Sequence, residues 1–342
     1  MDMTYQIKPF GAVEGQDVPR IILSDSAVSV ELIPYGAAIR AIQVPDRDGN
    51  ITDICLGYDT LEEYQHHDAC FGGTIGRCAN RIGGARFTIS GQEYRLTANE
   101  GANQLHGGKV GFHQKLWAYT CKENSVTFTL DSPDGEEGFP GNLHVEVTYT
   151  LENSTLTIDY RAVPDKDTVV NLTNHAYFNL AGHDGGPVRG HVLTVRAGHY
   201  TPAGPGNIPT GEILPVIGTP LDLQEGTVLG EQLADPFLAS SRGYDHNFVL
   251  DRVDAPAAKL YCPRTGIALE MHTTLEGMQL YSSGFLTQRR GKNGAVYGPS
   301  HGLCLEPQHF PDAVNHVEFP SPILRAGEEY HQSIRYRFFT IE

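Results

Sequence analysis

Along most of the chain, apolar and β-branched residues alternate with polar ones in short runs that break at glycine, proline, asparagine or aspartate. This period of two constrains the fold more than any other feature, because alternate side chains of an extended strand point to opposite faces. Arg20 to Leu32 reads as a strand, Pro34-Tyr35-Gly36 as a turn and Ala38 to Val44 as the next strand. Asp46-Arg47-Asp48-Gly49-Asn50 is a turn with Asp48-Gly49 as a hairpin dipeptide, and Ser90-Gly91 joins Arg86–Ile89 to Tyr94–Leu96 in the same way. The pattern continues through Val126–Leu130, Leu143–Leu151, Leu156–Val163, His191–Arg196, Asn247–Leu250, Ala268–Thr273, Gln279–Tyr281 and Ser333–Thr340. Helical evidence is confined to a capping box, Thr60-Leu61-Glu62-Glu63, which predicts one short helix to about His66. The 38 glycines and 21 prolines supply the turns that many short strands need. With no linker, low-complexity tract or clear repeat, the expectation is an all-β, sandwich-like single domain spanning residues 1–342.

The charge balance narrows the partners. Asp and Glu outnumber Lys and Arg by 41 to 25, a formal charge of −16, and no basic run offsets it. Nucleic acid and anionic membrane surfaces are therefore disfavoured, whereas a neutral small molecule suits such a surface. Met1 to Val30 has no basic segment followed by an apolar one, and no stretch is apolar enough to span a bilayer. Cys55, Cys70, Cys78, Cys121, Cys262 and Cys304 form no C-x-x-C pair, so reduced thiols in a cytoplasmic protein are expected and the sequons at Asn153 and Asn171 carry no weight.

Four segments concentrate polar side chains among aromatics and small residues. Phe71 to Ile82 is glycine-rich yet contains neither G-x-G-x-x-G nor G-x-x-x-x-G-K-[ST], and it sets Asn80 beside Arg81. Arg77 and Arg81 are equally readable as cations that satisfy buried carbonyls. In Asn103-Gln104-Leu105-His106-Gly107-Gly108 the two glycines let backbone approach a ligand beside His106, although a lone loop histidine is more often structural. Asn171-Leu172-Thr173-Asn174-His175-Ala176-Tyr177-Phe178-Asn179-Leu180 is a strand-like run of amides, one imidazole and aromatic rings. Sugars need that mixture, polar groups for hydroxyls and ring faces for the apolar side of the pyranose. In Leu303-Cys304-Leu305-Glu306-Pro307 the glutamate ends an apolar strand, so partial burial should raise its pKa toward that of a general base. Tyr244-Asp245-His246-Asn247-Phe248 and Gly277-Met278-Gln279-Leu280-Tyr281 add a carboxylate and an amide. Despite 15 histidines no H-E-x-x-H occurs, and the adjacent His66-His67 cannot converge on one ion; a dispersed, cupin-like site of histidines and a glutamate stays open. A G-x-S-x-G nucleophile elbow is also absent.

Taken together, these segments closely resemble the aldose 1-epimerase (galactose mutarotase) family, in order and spacing over nearly the whole chain. The matching blocks are Asp53-Ile54-Cys55-Leu56-Gly57-Tyr58, Gly76 to Ile82, Leu105-His106-Gly107-Gly108, Asn174 to Leu180, Tyr244 to Phe248 and Glu306 to Ala313. The resemblance implies a large antiparallel β-sandwich with few short helices, carrying a sugar cleft on one face. It implies His175 as general acid and Glu306 as general base, with Asn80, Arg81, His106, Tyr177, Asp245 and Gln279 lining the sugar site. Cys78, Gly284 and Pro307 depart from the residues usual at their positions, which bears on sugar preference.

Interconverting α- and β-anomers of a free aldose such as galactose or glucose moves no electrons to a carrier and transfers no group, so it calls for no cofactor and no metal. Opposite charges on Glu306 and His175 should help keep each other ionised, and Arg81 can hold Glu306 in place. Three other readings remain open at this level: a sugar-binding module on the same fold without catalysis, a hexose-6-phosphate mutarotase, and the metal-dependent cupin. A monomer and a homodimer are equally compatible with the sequence.

Overall fold

Residues 143–164 show how the period of two becomes a layer. In strands Leu143–Glu152 and Thr155–Pro164, Val145, Val147, Tyr149, Leu151, Leu156, Ile158, Tyr160 and Ala162 are buried, while the residues between them face outward. Asn153 and Ser154 join the strands in left-handed backbone (φ 50° and 57°), the turn whose twist matches that of the strands. The valine, leucine and isoleucine side chains among them contribute about 1.5–3 kcal/mol each when fully buried, so the alternation alone gives this hairpin one preferred face.

The structure, a computed structural model, describes residues 5–66 and 68–342; His67 and residues 1–4, part of the stretch inspected for a signal, lie outside them. The hairpin supplies the third and fourth strands of a nine-stranded sheet ordered 118–122, 125–132, 143–152, 155–164, 330–340, 267–273, 258–261, 192–195 and 227–228. A six-stranded sheet, ordered 177–178, 303–308, 277–281, 245–249, 199–201 and 214–215, packs against it. Phe178, Leu303, Leu305, Met278, Leu280 and Phe248 of the smaller sheet share one core cluster with the buried face of the larger. Tyr336 ties the layers by donating its hydroxyl to the Leu305 carbonyl at 3.0 Å. A five-stranded N-terminal sheet (6–13, 16–24, 29–33, 38–45, 51–53) adds Ile21, Leu23, Val30, Leu32, Ile39 and Ile42 to the same core. The ladders within these three sheets are antiparallel, so the architecture is the expected large antiparallel β-sandwich.

Among the described residues the α-helices are Leu61–His66 and Leu229–Gln232. The first carries its capping box as read: the Glu63 N–H donates to Thr60 Oγ1 at 3.3 Å, and the Thr60 N–H to Glu63 Oε2 at 3.0 Å. No described helix is long and apolar enough to cross a membrane.

Two strand assignments need correction. Arg20–Leu32 is two strands, Gln16–Ser24 and Ser29–Ile33, because the Asp25 carboxylate accepts the N–H groups of Ala27 (2.9 Å) and Val28 (2.8 Å) and closes a turn between them. The strand-like run Asn171–Leu180 is two short strands, Thr173–Asn174 and Tyr177–Phe178, interrupted at His175-Ala176. The first pairs with Thr74-Ile75 and the second with Leu303-Cys304, so the chain passes from one ladder to another at His175.

Of the two arginines in the glycine-rich segment, Arg77 is the structural one. It is 2% exposed and donates to the carbonyls of Ser132, Pro140 and Gly141 and to Ser132 Oγ, at 2.6–3.1 Å. Truncating it to methionine strands those acceptors, so Arg77→Met should lower unfolding free energy in urea by about 3–5 kcal/mol. A loss below about 1 kcal/mol would contradict this role.

Candidate active site

Within the six-stranded sheet, every residue of Leu303–Gln308 is buried. Alternation sends Leu303 and Leu305 into the core and Cys304 and Glu306 to the opposite face. Register then builds a grid on that face. Glu306 lies opposite Gln279, which lies opposite Asn247; in the next row Tyr177, Cys304, Tyr281 and Asp245 are successive neighbours. The Gln279 amide donates to Asp245 Oδ1 at 2.7 Å, tying the two rows together.

His175 arrives from the strand interruption. Its N–H donates to the Gly73 carbonyl and its own carbonyl accepts from the Gly72 N–H, both at 2.9 Å, so the backbone is clamped on both sides. The imidazole stacks on Tyr177 (centroids 4.9 Å apart, planes 14°) and meets His106 edge-on at 5.4 Å. The Asn80 carbonyl accepts the His106 N–H at 3.0 Å, while the Asn80 N–H donates to His106 Nδ1 at 3.2 Å. Gly107 must be glycine here: with φ +86°, a Cβ would sit 2.0 Å from the Gly76 carbonyl oxygen.

All eight residues singled out from the sequence line one cleft of about 400 Å³: Asn80, Arg81, His106, His175, Tyr177, Asp245, Gln279 and Glu306. Tyr281, Glu100, Cys70 and Arg289 line it too and were missed. Tyr281 was readable in principle, two positions after Gln279 on the same strand face. Glu100, Cys70 and Arg289 had no local signal. The three departures from the family pattern lie off the lining. Cys78 packs beside Ile82 and Phe87, Pro307 pairs with Met278, and a Cβ on Gly284 would come within 2.1 Å of the Arg242 carbonyl oxygen.

At the centre, His175 Nε2 and Glu306 Oε2 are 3.5 Å apart, with the residues 5% and 2% exposed. The expectation that each keeps the other ionised meets an opposing effect, the burial of both groups. Burial pushes His175 down to about 3, helped by His113, and burial together with Asp245 pushes Glu306 well up, only partly opposed by Arg81. At 3.5 Å the pair makes no close hydrogen bond, and neither His175 Nδ1 nor Glu306 Oε2 has another partner among the described residues. Burial therefore works against the charged form of both groups, imidazole and carboxyl alike. Arg81 likewise does not hold Glu306: its guanidinium is bound by Glu100.

His106, His175 and Glu306 bring one donor atom each within 4.8 Å of one another, the constellation a cupin-like metal site would need. The donor set does not fit an ion. His106 is held neutral, its pKa driven far down by burial and by His175, and its Nδ1 accepts the Asn80 N–H. The ring proton then sits on Nε2, leaving neither nitrogen with a free lone pair.

The aldose 1-epimerase family profile matches residues 19–337. The chain belongs to the aldose 1-epimerase family. It is 45% identical to the galactose mutarotase of Mus musculus over 330 residues, covering 95% of both chains. It is 37% identical to the aldose 1-epimerase of Escherichia coli K12 over 339 residues, covering 96% of this chain and 98% of that one. Among solved structures, an aldose epimerase homologue from C. elegans superposes with a TM-score of 0.87 at 29% identity, covering 99% of this chain and all of that one. The galactose 1-epimerase of Lactobacillus acidophilus gives the same TM-score at 26% identity and the same coverage.

Proposed function

We propose that this aldose 1-epimerase family member interconverts the α- and β-anomers of free aldoses such as galactose and glucose, with Glu306 as general base and His175 as general acid. The observation that carries the reading is the meeting of an imidazole and a carboxylate at 3.5 Å on the floor of a hexose-sized cleft. The reaction needs that spacing, because the hydroxyl and the ring oxygen that exchange protons are both bonded to C1. Glu306 takes the proton from the C1 hydroxyl, C1–O1 becomes a carbonyl, and the C1–O5 electron pair leaves onto O5, which His175 protonates. Rotation about C1–C2 presents the other carbonyl face. O5 then attacks, returning its proton to His175, while Glu306 returns a proton to O1. No proton is gained or lost over the cycle.

The acting form has Glu306 ionised and His175 protonated, so the pair must hold one proton between them. Moving it from carboxyl to imidazole becomes favourable once sugar hydroxyls donate to Glu306. Asn80, Arg81, His106, Asp245 and Gln279 would hold the remaining oxygens, with the stacked rings of His175 and Tyr177 beside them. His106 suits a fixed donor: its Nδ1 is engaged, so Nε2–H points its dipole at the ligand.

A phosphorylated sugar fits poorly. Asp68, Glu100, Asp245 and Glu306 line the cleft against two arginines, and Arg81 and Arg289 are already paired with Glu100 and Asp68. The six unpaired cysteines suit a reducing compartment, and we place the enzyme in the cytoplasm on that ground. Polarimetry tests the whole reading. Freshly dissolved α-D-galactose and α-D-glucose should reach equilibrium rotation faster with enzyme, and hexose 6-phosphates should respond far less. Relaxation of every aldose at the uncatalysed rate would leave only a sugar-binding module.

A further inference from the structure

Arg81 is held by a carboxylate that ring opening does not require. Its Nε donates to Glu100 Oε2 at 2.6 Å and its Nη2 to Glu100 Oε1 at 2.8 Å, a two-pronged pairing that fixes the guanidinium in its own plane. A guanidinium has five N–H donors; the other three make no hydrogen bond to the described residues, and Arg81 lines the cleft. Glu100 is itself anchored by the chain. Its N–H donates to the Asn103 carbonyl and the Asn103 N–H donates back, at 3.1 and 3.0 Å, closing a turn at Gly101. The next residues are pinned as well, the Leu105 N–H to Asn99 Oδ1 at 2.7 Å and Asn99 Nδ2 to the Gly108 carbonyl at 2.9 Å. Leu105 in turn pairs with the Arg81 backbone. One short segment therefore places His106, the Arg81 backbone and the Arg81 head group.

Glu306 and Asp245 share the cleft with Arg81, and both act on it electrostatically. A guanidinium released from Glu100 would find in Glu306 a buried carboxylate without a hydrogen-bond partner on Oε2. Pairing there would cover the oxygens that must take the C1 proton and would weaken their hold on it.

We propose that Glu100 is a positioning residue for ring opening: by occupying two donors of Arg81 it keeps the guanidinium off Glu306 and turns the remaining donors toward sugar oxygens. The proposal rests on the mutarotase reading. Because the Glu100 side chain is 38% exposed, Glu100→Gln removes a charge without opening the core. E100Q should lower kcat/KM by about 10–100-fold, the order expected when a group touching the substrate is displaced by about 1 Å. Most of the loss should fall on kcat, since Glu306 is then partly blocked. E100D, which keeps the charge on a shorter arm, should retain more activity than E100Q. In an Arg81→Ala background the same Glu100 changes should alter kcat/KM by less than about twofold, because Glu100 acts only through Arg81. A non-reacting 1-deoxy aldose should show the same pattern in Kd, weaker in E100Q and insensitive to Glu100 once Arg81 is gone. The proposal is overturned if E100Q stays within about twofold of wild type, if its cost persists without Arg81, or if E100D is no better than E100Q. Should E100Q not fold, E100D with and without Arg81 decides the question in the same way. Wild-type protein without mutarotase activity overturns the underlying reading instead, and this inference with it.

Discussion

Glu306→Gln should lower kcat for aldose mutarotation by about 10²–10⁴-fold, equivalent to about 3–5 kcal/mol of transition-state stabilisation. The amide keeps the shape of the side chain but cannot take the C1 hydroxyl proton. The same substitution should leave the protein as stable as wild type or make it more stable. Glu306 is 2% exposed, and its folded-state pKa lies well above the ordinary value because burial and Asp245 disfavour its charge. A carboxyl raised in the folded state binds its proton more tightly there than when unfolded. Its stabilising contribution is therefore complete below about pH 4.5 and is lost as pH rises through the raised value. Glutamine has no such term, so the melting temperature of E306Q relative to wild type should climb with pH. Near-normal polarimetric rates in E306Q would remove Glu306 as the base. A variant that is inactive and also less stable at every pH would point to a structural role.

His175→Ala should cost a similar 10²–10⁴-fold in kcat, since it removes the imidazole assigned to protonate the ring oxygen. His106 does not substitute, because its Nδ1 is occupied by the Asn80 N–H and burial keeps it neutral. Unchanged kcat in H175A would sink the assignment. The pH profile of the wild type gives a second test of the pair. The productive free enzyme holds one proton between His175 and Glu306; a second arrives only near pH 3, on His175, and the first leaves only above the raised value of Glu306. Between those limits kcat/KM should be level with respect to this pair. An inflection near 6.5, where a solvated histidine titrates, is not expected down to about pH 4 while the fold holds. In stability the sign for His175 is opposite to that of Glu306. A histidine lowered by burial favours the folded state above about pH 6.5, and that contribution is lost as pH falls toward 3.

Much of the sandwich was legible because alternation is a local property. Strands 143–152 and 155–164 are written in their own residues, and so is the capping box at Thr60. The Arg20–Leu32 error arose where a side chain overrode the pattern: the Asp25 carboxylate turns the backbone within an otherwise apolar run. The Asn171–Leu180 error came from a handover between two ladders, which no residue in that run announces. The burial of Glu306 was foreseeable, since three apolar neighbours precede it on a strand.

What the amino-acid sequence determined by itself is many of the longer strands, several of the turns that end them and which of their side chains share a face, because each depends on near neighbours through a two-residue period. The tertiary structure alone decided who meets whom. Strand register set Gln279 beside Glu306, the interrupted ladder swung His175 over the same row, and a distant turn brought Glu100 to Arg81. It also decided how strongly burial disfavours charge on the pair, because the cost of charging a group depends on how much water the whole fold removes from it.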